Sequence, residues 1–222
     1  MPAAMSPRRL RRRSPRPRTR TRAWAGDPPK LHAAARERLL DAAVRCIARD
    51  GMAGANIAAV AAEAGVSRPT VYRYFADQQA MVEATFLHAG RDLVGRLGAR
   101  LRRLRAPAEM AVEAVCFVLR EIPREPVLGA MWSEAVLDAS AVALITRRPA
   151  LEWSRDAVKD LVQAADWSVE AADEAVEAML RMLLSLLAAP EPRRSDAALR
   201  AFLMRRLVPA LGLATPGRSS SR

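Results

Sequence analysis

Residues 56–75, "NIAAVAAEAGVSRPTVYRYF", constrain the fold more tightly than any other part of the chain. Behind Asn56, whose short side chain suits a helix N-cap, the apolar residues Ile57, Val60, Ala61 and Ala64 recur at helical spacing. Gly65 stands where a helix ends in left-handed geometry. Ser67 can cap the next helix, and Pro69 is tolerated in its first turn because amides there need no partner within the helix. Val71 and Phe75, four apart, then point inward together. Two short helices around a glycine turn, sharing one small core, make a helix-turn-helix.

Arg68, Pro69, Thr70, Tyr72, Arg73 and Tyr74 are left around the start and outer side of the second helix, from which such helices reach base edges and phosphates. Arg68 could read guanine, Pro69 and the Thr70 methyl could touch thymine methyls, and the tyrosine hydroxyls donate to phosphate oxygens. The plainer alternative is that Tyr72 and Tyr74 edge the small core and that Ser67 is only a cap. It is credible for any one residue. For the group it fails, because a purely structural helix would not gather so many donors beside a tight glycine turn.

The rest of the sequence predicts an all-α protein: alanine, leucine and arginine abound while isoleucine, phenylalanine and tyrosine are scarce. A first helix runs from about His32 to Gly51 with Leu39, Leu40, Ala43, Val44 and Ile47 on its apolar face. After Asp77, a long helix to about residue 105 is expected, weakened by Gly90, Gly95 and Gly98. A nearly all-apolar helix from Pro107 to the prolines at 123 and 126 reads as a central, buried element. Helices follow at 127–138 and 149–166, with a less regular "SAVALIT" between them. The last two, 169–188 and 196–212, carry stripes that include Val176, Met179, Leu180, Leu183, Leu184 and Leu187, then Leu199, Phe202 and Leu203. Met182 and Leu186 widen the first stripe, which gives it a second surface to cover and points to dimerisation.

The formal charge of +12 is uneven. Nine arginines and no acid lie in residues 1–22, leaving a nearly balanced remainder. The prolines among them and the shortage of apolar residues predict a disordered arm over 1–30, with a short disordered tail at 214–222. Arginine's forked donors suit phosphate, so the arm would assist DNA binding. A genome biased toward arginine codons, a solvated tail of no consequence, or a true start at Met5 are the alternatives. Between the tails, 31–77 form the helix-turn-helix unit and 78–213 a helical regulatory and dimerisation unit.

The segments "LLDAAVRCIARDG" (39–51), "NIAAVAAEAGVS" (56–67) and "RPTVYRYFADQQAMVEA" (68–84) resemble the tetracycline-repressor (TetR) family of bacterial transcription regulators over about residues 36–87. The turn followed by Thr-Val-Tyr-x-Tyr-Phe is the specific part of the match. The resemblance implies an all-helical homodimer with a three-helix DNA-binding head. It also implies a divergent body that binds a small inducer and dimerises through its last two helices. DNA contacts would then fall on Ser67, Arg68, Pro69, Thr70, Tyr72, Arg73 and Tyr74. Asn56 stands where the family usually has threonine, and asparagine can both cap the helix and meet a phosphate. Gln78 replaces the usual lysine; its amide and the helix-end dipole could still hold a phosphate, with one charge fewer.

The function implied is a repressor released from a palindromic operator by a small molecule. The alternative is a ligand-independent architectural or constitutive DNA-binding protein. Cys116, Phe117, Met131, Trp132 and Trp153 are candidate linings of an apolar inducer site, each equally at home in an ordinary core, with Glu121, Glu134 or Arg120 as polar anchors. An enzyme is not expected: His32 and His88 have no visible partner, and no phosphate loop or metal-spaced cluster is present. Neither cofactor nor metal is called for. Two widely separated cysteines, Cys46 and Cys116, read as buried free thiols. Without a signal peptide or an apolar span, the expected location is the cytoplasm.

Overall fold

The computed structural model of the protein describes Trp24 and residues 32–135, 148–188 and 194–214, with backbone alone over 131–135. All regular elements among these residues are helical. They are α1 (His32–Asp50), α2 (Ile57–Glu63), α3 (Arg68–Tyr72), α4 (Gln78–Ala89), α5 (Arg91–Leu101) and α6 (Pro107–Glu121). After them come α7 (Pro126–Ala135), α8 (Arg148–Ala157), α9 (Lys159–Ala164), α10 (Val169–Ala188) and α11 (Asp196–Ala210). The 1–22 arm, the "SAVALIT" piece, most of the 214–222 tail and the side chains of Met131, Trp132 and Glu134 lie outside the described residues.

The head is built as its local sequence dictates. Leu39, Leu40, Ala43 and Ile47 of α1 are buried, and the helix stops where Gly51 turns to a φ of 63°. A 3-10 turn, Gly51–Gly54, brings Gly54 so close to α1 that a Cβ there would lie 2.4 Å from the Cys46 carbonyl oxygen. Asn56 then caps α2 by accepting from the Ala59 amide at 2.8 Å. Gly65, at φ 67°, ends that helix. The three helices close over Leu39, Leu40, Val60, Val71, Phe75 and Met81, each worth about 1.5–3 kcal/mol when removed from water.

Two expected helices are broken. The run predicted from 77 to 105 divides at Gly90, because the indole of Trp153 on α8 packs against that backbone. A Cβ at Gly90 would lie 2.7 Å from Trp153 Cη2. The 149–166 run divides at Val158, whose φ of −109° and ψ of 23° are not helical. The body surrounds α6, buried from Met110 to Phe117. It packs with α5, α10 and α11 into one core containing Leu97, Leu101, Val112, Leu161, Leu203 and Leu207.

Head and body are joined along α1. Ile47 and Ala55 meet Val127 of α7. The Arg91 guanidinium donates to both Glu37 oxygens at 2.9 and 3.0 Å, which holds the Glu37 carboxyl below its ordinary value. His88 has acidic partners, contrary to expectation: Nε2 is 2.8 Å from Asp41 Oδ1 and Nδ1 is 3.2 Å from Glu37 Oε2. His32 is the first residue of α1 and stacks on Tyr74, with ring centroids 4.5 Å apart.

Candidate nucleic-acid interface and ligand cavity

Helix α3 is one turn and a half long and cannot stand by itself. Its register is fixed by a cap at one end and a core contact along one side. Ser67 Oγ accepts from the Thr70 amide at 3.3 Å and shares a hydrogen bond with Thr70 Oγ1 at 2.9 Å. Val71 and Phe75 are buried in the head core, with the Arg36 guanidinium 5.3 Å from the Phe75 ring centroid. With that side anchored, Ser67, Arg68, Pro69, Tyr72 and Arg73 face outward and are exposed. Tyr72 keeps 53 % of its surface open, unusual for a large ring.

Charge on this face is uncommitted. Elsewhere on the head, Arg45 and Arg49 are tied to Glu63, which lowers the Glu63 carboxyl. Among the described residues neither Arg68 nor Arg73 has an acidic partner. Two guanidiniums kept clear of carboxylates beside an open tyrosine form a surface complementary to a polyanion.

The remaining predicted contacts are more constrained. Thr70 is half-buried and already bonded to Ser67. Tyr74 is half-buried against the head core and His32, so the plainer reading that a tyrosine edges the core holds for Tyr74 and not for Tyr72. Asn56 uses both ends of its amide, Oδ1 toward Ala59 and Nδ2 to the Ala53 carbonyl at 2.8 Å. Gln78 is exposed at the first position of α4. The cap there is Asp77, accepting from Ala80 at 2.7 Å, and its carboxylate opposes a phosphate at that helix end.

A cavity of about 100 Å³ lies in the body beneath the head. Phe86, Leu97, Val115, Leu128, Trp153 and Met179 represent the six helices that line it, α4, α5, α6, α7, α8 and α10. Ser154 supplies the single hydroxyl in its wall, and no charged side chain contributes. Phe86 and Trp153 meet edge to face, centroids 5.9 Å apart, so one wall is also the contact that breaks the chain at Gly90.

Of the sequence candidates whose side chains are described, Trp153 lines this space. Cys116 and Phe117 are buried but face elsewhere: Phe117 lies under the Arg96 and Arg100 guanidiniums, each 5.9 Å from its centroid. Burial pushes the thiols of Cys46 and Cys116 up, and both are free. Glu121 pairs with Arg96 and Arg124. Arg120 stands near Glu113 and Asp196. Neither lines the cavity.

Four predicted dimer residues need correction. Val176, Met179, Leu183 and Leu203 are buried inside the protomer's own core, because α6 covers that side of α10 and α11. Leu180 lines the cavity. Leu184, Leu187, Leu199 and Phe202 keep a partly open face. The lining leucines and valines were missed because an apolar residue at helical spacing looks the same in a core and in a cavity wall.

The head is a helix-turn-helix, an architecture that defines a class of DNA-binding modules. A family model described as "Bacterial regulatory proteins, tetR family" matches residues 39–85. Over those residues the chain is similar to TetR-family regulators. The HTH-type transcriptional regulator BetI of Paraburkholderia phytofirmans is 34% identical over 108 residues, 46% of this chain and 54% of that protein. The chain thus spans about half the length of the curated relatives it matches.

Among solved structures, the TetR family repressor AlkX from Dietzia sp. superposes with a TM-score of 0.56 at 20% identity. It covers 80% of this chain and 95% of its own. RolR in complex with resorcinol gives 0.58 at 19% identity, over 81% and 92%. Both share the fold. No helix among the described residues is long and apolar enough to cross a membrane, and no group of His, Cys, Asp or Glu among them is arranged to hold a metal.

Proposed function

We propose that the protein is a cytoplasmic homodimeric repressor, released from a palindromic operator when an uncharged, apolar small molecule enters the body cavity. The observation that carries this reading is the open strip Ser67–Arg73, with Arg68, Tyr72 and Arg73 projecting from a helix locked on its other side. Such a helix enters the major groove N-terminus first, and two copies would engage half-sites roughly 34 Å apart. Leu184 and Leu187 of α10, with Leu199 and Phe202 of α11, offer the partly open apolar face through which a second copy would pack.

The cavity supports the ligand class. With no charge in its wall, an ionised ligand would lose its hydration uncompensated, whereas a small ring or alkyl segment loses nothing. Its volume of about 100 Å³ suits a small molecule, since larger ligand sites are several times that size. Swelling it would press on Trp153 and so on Gly90, where α4 leaves for the head. A coupling of about 1–3 kcal/mol is the ordinary scale for such regulation.

The test begins with duplexes selected by the full chain from a random-sequence library. Enrichment of an inverted repeat is expected, and Arg68→Ala and Tyr72→Ala should each weaken binding to it at least about tenfold while helicity is unchanged. Selection without an inverted repeat would favour the architectural alternative. Unaltered affinity of both variants would remove α3 from recognition.

A further inference from the structure

Helix α8 is divided lengthwise. One side carries Arg148, Glu152, Arg155 and Asp156 to solvent or into ion pairs: Arg148 donates to Glu152 at 2.9 Å, and Arg155 to Asp173 of α10 at 2.6 Å. On the other side Ala150, Trp153, Ser154 and Ala157 recur at the three-and-four spacing of one helix face and line the cavity. Ser154 is out of place there. A serine inside a helix ordinarily turns outward or donates to the carbonyl four residues back, here that of Ala150. The Ser154 backbone carbonyl accepts from the Val158 amide at 3.2 Å, but among the described residues its hydroxyl has no hydrogen bond. A polar side chain set without a partner into an apolar wall breaks the pattern that packing alone would select.

We propose that Ser154 is the residue that reads the ligand: its hydroxyl bonds the single oxygen of a small neutral alcohol or ketone whose remaining atoms are hydrocarbon. This rests on the ligand-cavity reading above and names the class of molecule that the cavity takes. A hydroxyl both donates and accepts, so it can meet either an alcohol or a carbonyl. The Trp153 indole N–H, the other polar hydrogen carried by the described lining, can only donate. Size narrows the class further. An apolar cavity of about 150 Å³ accepts benzene, so one of about 100 Å³ suits a body of about five or six non-hydrogen atoms. Such an alcohol gives up a hydrogen bond to water on entering and regains one at Ser154, whereas a hydrocarbon of the same shape leaves the serine unpaired.

The experiment titrates the full chain by calorimetry with cyclopentanol, cyclopentanone and methylcyclopentane, which match one another in size and shape. Because the alcohol and the ketone are better hydrated than the hydrocarbon, the readout is the ratio of dissociation constants and not either affinity alone. In Ser154→Ala that ratio should move against cyclopentanol and cyclopentanone by about three- to tenfold. Ser154→Thr keeps the hydroxyl and should keep the ratio of the unaltered chain. Leu180→Trp, which fills the cavity, should abolish binding of all three.

An unchanged ratio in Ser154→Ala, with the probes still bound, overturns the assignment of Ser154 and leaves the cavity reading standing. A ratio that moves as far in Ser154→Thr as in Ser154→Ala does the same, since the effect would then come from packing and not from the hydroxyl. Probes that fail to bind the unaltered chain, or that bind Leu180→Trp as tightly, overturn the cavity reading and the proposal with it.

Discussion

Replacing Glu113 by Gln tests the packing of the body most sharply. Glu113 sits in the middle of α6 and is 5 % exposed. Its carboxylate accepts from Arg100 of α5 and Arg200 of α11, and Arg120 stands 3.8 Å away. Burial raises this carboxyl, but the hydrogen bonds from Arg200 and Arg100 outweigh it and hold the group below its ordinary value of 4.5. Glutamine keeps the shape and removes the charge. Its Oε1 can still accept from one guanidinium, but its Nε2 is a donor and faces the other, so one of the two charge-assisted hydrogen bonds, worth about 1.5–3 kcal/mol, is lost.

Stripping a partner from a fully buried pair costs about 3–5 kcal/mol. The guanidiniums here are 30 to 50 % exposed and can turn to solvent, so about 1–3 kcal/mol is expected for the exchange. At about 2–4 °C per kcal/mol for a chain of this size, Tm at neutral pH should fall by about 2–12 °C. The pH dependence fixes the sign. A carboxyl whose folded pKa is depressed contributes stability above its unfolded value and loses it as pH falls through the lower folded value. The gap between the two proteins should therefore be full above about pH 5 and close progressively below 4.5. Thermal melts by circular dichroism at neutral and acid pH read this directly. An equal gap at both, or a variant that melts higher, would refute the account of Glu113 as a charged staple between α5, α6 and α11.

Leu183→Asp and Leu203→Asp should lose the fold, seen as a collapsed melting transition, because both sites are inside the protomer. Leu187→Asp and Phe202→Asp should stay helical and sediment as monomers. Gly90→Ala puts a Cβ 2.7 Å from Trp153, so about 1–3 kcal/mol of overpacking is expected in a denaturant melt, with recovery when Trp153→Ala is added. Leu180→Trp should fill the cavity: an apolar fluorescent probe that binds the unaltered chain would no longer bind, while DNA affinity measured by gel shift is retained.

The α1–α3 unit was legible residue by residue. Gly65 adopts the left-handed φ expected of it, the first helix ends at Gly51 as expected, and Asn56, Ser67 and Asp77 cap the three helices that follow them. The ends of the last two helices were equally readable. The cavity was not: of the three lining candidates whose side chains are described, Cys116, Phe117 and Trp153, Trp153 is the one found in its wall. Glu113, flanked by alanine and valine in α6, carried no signal either, because its arginines arrive from helices 13 and 87 residues away. Leu183 and Leu187 stand one helical turn apart on the same stripe, yet one is sealed under α6 and the other half-open.

What the sequence by itself determined is the helix-turn-helix head and the all-helical class, since caps, glycine turns and the 3.6-residue period act within about four residues. Tertiary structure decided where α4 stops, which leucines line a cavity, which apolar face of α10 and α11 stays partly open, and that Trp24 seats on the turn. Those depend on which distant helix comes to lie against a given side chain, and an apolar residue carries no mark of its neighbour until the chain has packed.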